Sequence, residues 1–185
     1  FDAPRGAAAW EFSRRTKEYT DTMLTHMLHA YDLQLNLASM LVKDIPDDQM
    51  CAQPHGLVNH PTWNLGHLVL SEHHTCKLLD IDSTLPDGWD ELFKAGGTPG
   101  ADRSAYPGKA ELLAELGKMH ERMKAALPGI AAETLDREHP SEDTRKYFPT
   151  IGAMVAFIMT SHEMDHLGQI AAWRRAAGLG PANPG

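Results

Sequence analysis

Four stretches of this chain repeat apolar residues at three- and four-residue steps, and none alternates as a strand does. That pattern leaves an all-α class as the expectation, with a four-helix bundle as its architecture. The last stretch constrains the fold most. It sets Ile151, Val155, Ile158, His162, His166, Gln169, Ile170 and Trp173 along one side. Thr150 is a candidate N-cap, Gly178 a natural C-cap, and Arg174 and Arg175 complement the helix dipole. An α-helix turns by about 100° per residue, so His162 and His166 stand one turn apart on the same face. Two imidazoles at that spacing can hold one transition metal.

The run His162-Glu163-Met164-Asp165-His166 also fits H-E-x-x-H, in which the Glu serves a zinc protease as general base. Common layouts place the third ligand downstream. From Leu167 to Gly185 there is no His, Asp, Glu or Cys, so the protease reading fails. A third ligand must lie upstream. Glu163 and Asp165 are each rotated about 100° from the neighbouring imidazole and suit orienting or surface roles.

The first helix is expected from Trp10 or Thr16 to about Val42, with Leu24, Leu28, Tyr31, Leu35, Ala38 and Val42 as its apolar side. His26 and His29 lie on a neighbouring stripe and have two readings, as residues approaching a site between helices or as partly exposed or hydrogen-bonded histidines. Tyr31 suits either core packing or hydrogen bonding into a cavity. Pro46 stops this helix. The second begins with Asn59 or His60 before Pro61 and runs to about Leu79. Trp63, His67, Leu70, His74 and Leu78 share one face of it. His67 has two readings, a metal ligand or a buried histidine with one hydrogen bond. His74 is about 10 Å further along the axis and cannot share an ion with it. Gly66 is costly inside a helix and suggests a close approach by another group.

Residues 80–105 form a long connection rich in Gly, Pro and Asp, with a short helix expected around Trp89 and Phe93. Its length permits a crossover, so the second and third helices need not be a tight antiparallel pair. Trp89 and Phe93 anchor it either over a pocket or at the bundle end. The third helix is expected from Pro107 to about Leu127. At 185 residues the expectation is a single domain over 1–185, with a loose N-terminal arm over 1–9.

A formal charge of −8 argues against a nucleic-acid surface, and no run is long and apolar enough for a membrane span. The two cysteines, Cys51 and Cys76, make no disulfide framework, so a reducing, cytoplasmic setting is expected. Inward histidines on the second and fourth helices then supply three neutral imidazoles, His67, His162 and His166. Three such ligands leave positions open for water or substrate, as catalytic sites do. The alternatives are a structural or vestigial metal site in a binding protein, or histidines serving as a polar core without metal.

These residues resemble the DinB-like superfamily of four-helix metal-binding proteins. The resemblance rests on Ile45-Pro46-Asp47-Asp48-Gln49, on Asn59 to Trp63 leading into Leu65-Gly66-His67-Leu68, and on His162 through Ile170 with the Arg174-Arg175 to Gly180 close. It implies a bundle with a long crossover between helices two and three, often a homodimer. It also implies a divalent metal (zinc, nickel or iron) held by His67, His162 and His166. Family activities vary: some members are transferases using a low-molecular-weight thiol such as bacillithiol or mycothiol, and others are labelled hydrolases. The expected function is therefore a metal-dependent transferase or hydrolase acting on a small-molecule substrate, with a non-enzymatic stress-related binding protein as the alternative. A related iron domain carries H-x-x-x-H-x-E. Here Gly168 stands at its last position, which counts against a sulfoxide synthase.

Overall fold

The computed structural model describes residues 5–182, with side chains from Thr22 onward. Helix α1 spans Arg5–Val42. It therefore starts before the expected Trp10 or Thr16, and residues 5–9 are helical rather than a loose arm. The run Ala7 to Ala9 is strong helix-forming sequence, which accounts for the earlier start. Residues 1–4 lie outside the described residues.

Helix α2 spans Pro61–Leu78. His60 caps it: its Nδ1 accepts from the Trp63 N–H at 3.2 Å, and Pro61 takes the first helical position, where its missing donor costs nothing. After α2 come a short α3 (Trp89–Leu92), then α4 (Lys109–Ala126), and two further short helices, α5 (Ala132–Asp136) and α6 (Glu142–Arg145). The last long helix has three continuous parts: α7 (Ile151–Phe157), a π-helical turn Ile158–His162, and α8 (Glu163–Ala176). Thr150 caps its start by accepting from the Ala153 N–H at 3.2 Å. Gly178 closes its end at φ +78°, a conformation that suits glycine. Among the described residues the only β-pairing is an isolated bridge between Glu138 and Thr150.

The chain directions follow from which levels meet. Tyr31 of α1 bonds Glu72 of α2, while the Thr62 N–H reaches the Met50 carbonyl beyond the other end of α1. These two helices are antiparallel. Lys124 of α4 pairs with Asp32 at 2.8 Å, and Lys109 donates to the Ile45 carbonyl at 2.5 Å, so α4 is antiparallel to α1 as well. Helices α2 and α4 thus run the same way, and the connection between them must return the length of the bundle. This is the expected crossover. Trp89 and Phe93 bury themselves to pin it, and Gln53 and His60 hold it through the Pro99 and Gly100 carbonyls at 2.9 and 3.0 Å.

Apolar residues from α1, α2, α4 and α8 fill the centre, including Ala38, Leu65, Val69, Leu112, Leu116 and Ile170. Arg174 adds a buried strut. Its guanidinium donates to the Leu41 carbonyl at 2.7 Å and forks onto Asp44, with one arm at 2.8 Å. It ties α8 to the end of α1, a larger role than complementing the helix dipole. No helix among the described residues is long and apolar enough to cross a membrane.

Candidate metal centre

The two halves of the candidate site come from facing helices. Trp63, Asn64 and His67 sit on the inner face of α2, and His162 and His166 on the last helix. The structure brings His67, His162 and His166 together: each offers a ring nitrogen, and the three nitrogens lie within 4.8 Å of one another. Ring centroids are 5.2 Å apart for His67 and His162, 4.8 Å for His67 and His166, and 4.6 Å for the helical pair. A tetrahedral ion with bonds of about 2.0–2.1 Å sets its ligand nitrogens about 3.3 Å apart, inside the 4.8 Å that bounds the three here.

The partners of the other ring nitrogens decide the tautomers. His67 Nδ1 donates to the Phe93 backbone carbonyl at 2.7 Å, and His166 Nδ1 donates to Asn64 Oδ1 at 2.7 Å. The Asn64 amide is itself fixed, because its nitrogen donates to the Asn59 and His60 carbonyls at 3.2 Å each. A carbonyl partner keeps the proton on Nδ1 and leaves Nε2 as the free lone pair. This is the arrangement that orients metal-binding histidines. His162 differs: its buried Nδ1 has no partner. Burial drives all three imidazoles toward the neutral form. It lowers His67, and with the neighbouring rings it takes His162 down to about 4 and His166 to about 3. Neutral imidazoles have the lone pairs that coordination needs.

The setting is asymmetric. His67 stacks on Trp63 at 4.8 Å and 9°, and His166 is buried behind it. His162 is half-buried and, with His67, lines a pocket of ≈ 280 Å³ that also takes in His74, Lys94, Met154 and Phe157. Gly66 explains how the crossover reaches the site. A Cβ there would lie 2.3 Å from the Phe93 ring, so only glycine lets Phe93 seat against α2 and aim its carbonyl at His67. The two readings of the crossover aromatics therefore hold together: they are buried anchors, and the segment they pin borders the pocket.

The π turn at Ile158–His162 is where the last helix departs from a simple repeat. The Thr160 hydroxyl donates to the Ala156 carbonyl at 2.6 Å, occupying a group the regular ladder would use. The buried face then includes Met159, Glu163 and Leu167 as well as His166 and Ile170. Glu163 is thus only 1% exposed, not a surface residue, and it groups with Glu72 and His120 rather than with the three histidines.

Other candidates fall elsewhere. Tyr31 is fully buried, but its hydroxyl goes to Glu72. Gln169 bonds Asn59 and Asp165 at 2.9 Å each, away from the imidazoles. His26 and His29 are exposed. Asn64 and the Phe93 carbonyl were not singled out from the sequence. Asn64 carries a faint signal, lying three residues before His67 on a neighbouring part of the same helix face.

No curated protein and no solved structure matches the chain. A family model, that of the DinB superfamily, matches residues 30–170. The matched span reaches from α1 to α8 and includes His67, His162 and His166. A match over this much of the chain, on an all-α bundle with a candidate three-His site, places the protein in the DinB superfamily.

Proposed function

We propose that the protein is a metal-dependent enzyme in which His67, His162 and His166 hold one divalent transition ion (zinc, nickel or iron) beside a small-molecule pocket. The observation that carries this reading is the convergence of three uncharged imidazoles, two of them oriented through Nδ1, at the wall of a pocket of ≈ 280 Å³. A bound ion of this kind lowers the pKa of a thiol or water in contact with it. Imidazole ligands suit zinc, nickel and iron alike.

The chain's own groups supply the rest. Phe93 and Asn64 hold the protons on His67 and His166 and keep their rings in place. Met154, Phe157 and Ile158 give the pocket an apolar wall that sheds water. His74 also lines it, and burial lowers its pKa, so the neutral ring is available to take a proton from an entering thiol. Lys94 sits at the pocket paired with Glu91 at 2.5 Å and offers a positive charge to an anionic substrate group. The pocket lining carries no carboxylate to serve as base for a hydrolytic water. His74 is then the base for either nucleophile, and we take transfer to or from a low-molecular-weight thiol as the first reading and hydrolysis as the second. A homodimer and a cytoplasmic setting belong to the same proposal, and sedimentation velocity reads the first.

The test is turnover. Protein purified without a His-tag and loaded with zinc, nickel or iron is screened with low-molecular-weight thiols and electrophilic acceptors, beside ester and amide substrates. The proposal expects thiol-dependent turnover that is lost with the metal and in His67→Ala. Stoichiometric metal with no turnover in either screen would instead favour the non-enzymatic binding protein.

A further inference from the structure

One turn of the last helix serves two clusters. His162 belongs to the open site, while the next residue, Glu163, points into a separate cluster with Glu72 of α2 and His120 of α4. Each of these three residues offers one ligand atom, and the three atoms lie within 4.8 Å of one another. All three side chains are at least 98% buried, with exposures of 1%, 2% and 0%. Tyr31 of α1 completes the surroundings, so all four long helices meet here.

The hydrogen bonds of this cluster stop short. The Tyr31 hydroxyl donates to Glu72 Oε1, and His120 Nε2 pairs with Asp32 Oδ1 at 3.2 Å. Tyr31 also stacks on the His120 ring at 3.6 Å, which fixes the ring plane. Beyond those contacts, Glu72 Oε2, His120 Nδ1 and both oxygens of Glu163 are buried without a partner. They make up half of the buried side-chain polar atoms left unpartnered among the described residues. Buried polar atoms are nearly always satisfied, and orphans on three residues whose ligand atoms lie this close together indicate a missing partner. A divalent cation fits that role: the two carboxyl groups and the imidazole offer it lone pairs, and once its binding displaces the carboxyl protons their two negative charges balance it. The far nitrogen of His120 is held by a carboxylate, as in metal sites whose histidine is oriented from behind. Bundle cores build such sites from inward Glu and His residues on facing helices.

We propose that Glu72, His120 and Glu163 form a second, closed metal site in the bundle core. Its oxygen-rich donor set favours a harder divalent ion, Mn²⁺, over the zinc and nickel suited to the open site. Because the donors are sealed by packing, the site is structural: it ties α2, α4 and α8 together. It does not depend on the reading of the three histidines.

The experiment is anomalous diffraction from crystals of the full chain, stripped with chelator and then given Mn²⁺. The proposal expects an anomalous peak bonded to Glu72, His120 and Glu163. Equilibrium dialysis with Mn²⁺ alone should lose that ion in Glu72→Gln and keep it in His67→Ala. A map with no peak in the cluster overturns the proposal, whatever stands at the three histidines, and the wild-type map decides even if Glu72→Gln does not fold. A peak in the cluster with none at His67 under zinc would support this site while contradicting the open one.

Discussion

The two polar clusters share a helix turn but differ in almost every physical respect. Two of the three histidines have partners of their own, since Phe93 and Asn64 satisfy their far nitrogens, and His162 borders a pocket. The Glu72, His120 and Glu163 cluster is sealed and leaves four atoms unpartnered. Burial keeps both free of charge by opposite shifts, pushing the three imidazoles down and the two carboxyls up. An open set with oriented ligands is built to exchange what it binds. A closed set with unmade bonds is built to keep it.

The sharpest way to break this contrast is to remove one open-site ligand. His166→Ala should lower zinc affinity by more than the roughly 100-fold that losing an orienting partner can cost. Competition with a chromophoric chelator measures it, and an unchanged affinity would mean the three rings do not act together. Removing only the orienting partner should do less. Asn64→Ala should cost about 10–100-fold in zinc affinity, because His166 loses its fixed tautomer. The same chelator titration checks this, and Mn²⁺ binding in the core cluster should be untouched.

Gly66→Ala tests the crossover clip. At an ordinary helical position this change stabilises by about 1 kcal/mol. Here the added Cβ meets the Phe93 ring, so denaturant unfolding should show a loss of about 1–3 kcal/mol instead. Zinc affinity should fall with it as the carbonyl leaves His67. A gain in stability would show that Phe93 moves aside freely.

The smallest effect belongs to a contact far from both clusters. The Arg174 guanidinium beside Asp44 holds its carboxyl at about 2, down from an ordinary 3.8. Such a group stabilises the fold above the unfolded value, and the contribution disappears as pH falls through the folded one. Asp44 is more than half exposed, so the effect is at most about 1 kcal/mol. Thermal melts of Asp44→Asn should match wild type near pH 2 and fall slightly below it at neutral pH. A difference that grows toward acid would reverse the sign.

Much of this was readable from the chain, and the reason is periodicity. The apolar repeats of α2 and the last helix, with Pro61 and Thr150 at their starts, locate both helices to within a residue or two. They also put His67, His162 and His166 on inner faces. What escaped depends on tertiary contact. The Phe93 carbonyl is a backbone group delivered by a crossover, and no side-chain pattern announces it. Glu163 and Arg174 are charged residues that a pattern reading assigns to solvent or to the helix dipole, yet packing buries both. The π turn widened the inner face at the point where ideal spacing was being assumed. The start of α1 was missed because an Ala-rich run forms helix without an apolar stripe to mark it.

X-ray absorption on metal-free protein given one equivalent of zinc tests the central claim most directly. Three imidazoles at about 2.0–2.1 Å should dominate the scattering, with a lighter atom completing the coordination. A shell containing a single imidazole and carboxylate oxygens would place the zinc in the core cluster, and a shell without imidazole would contradict the three-histidine centre altogether.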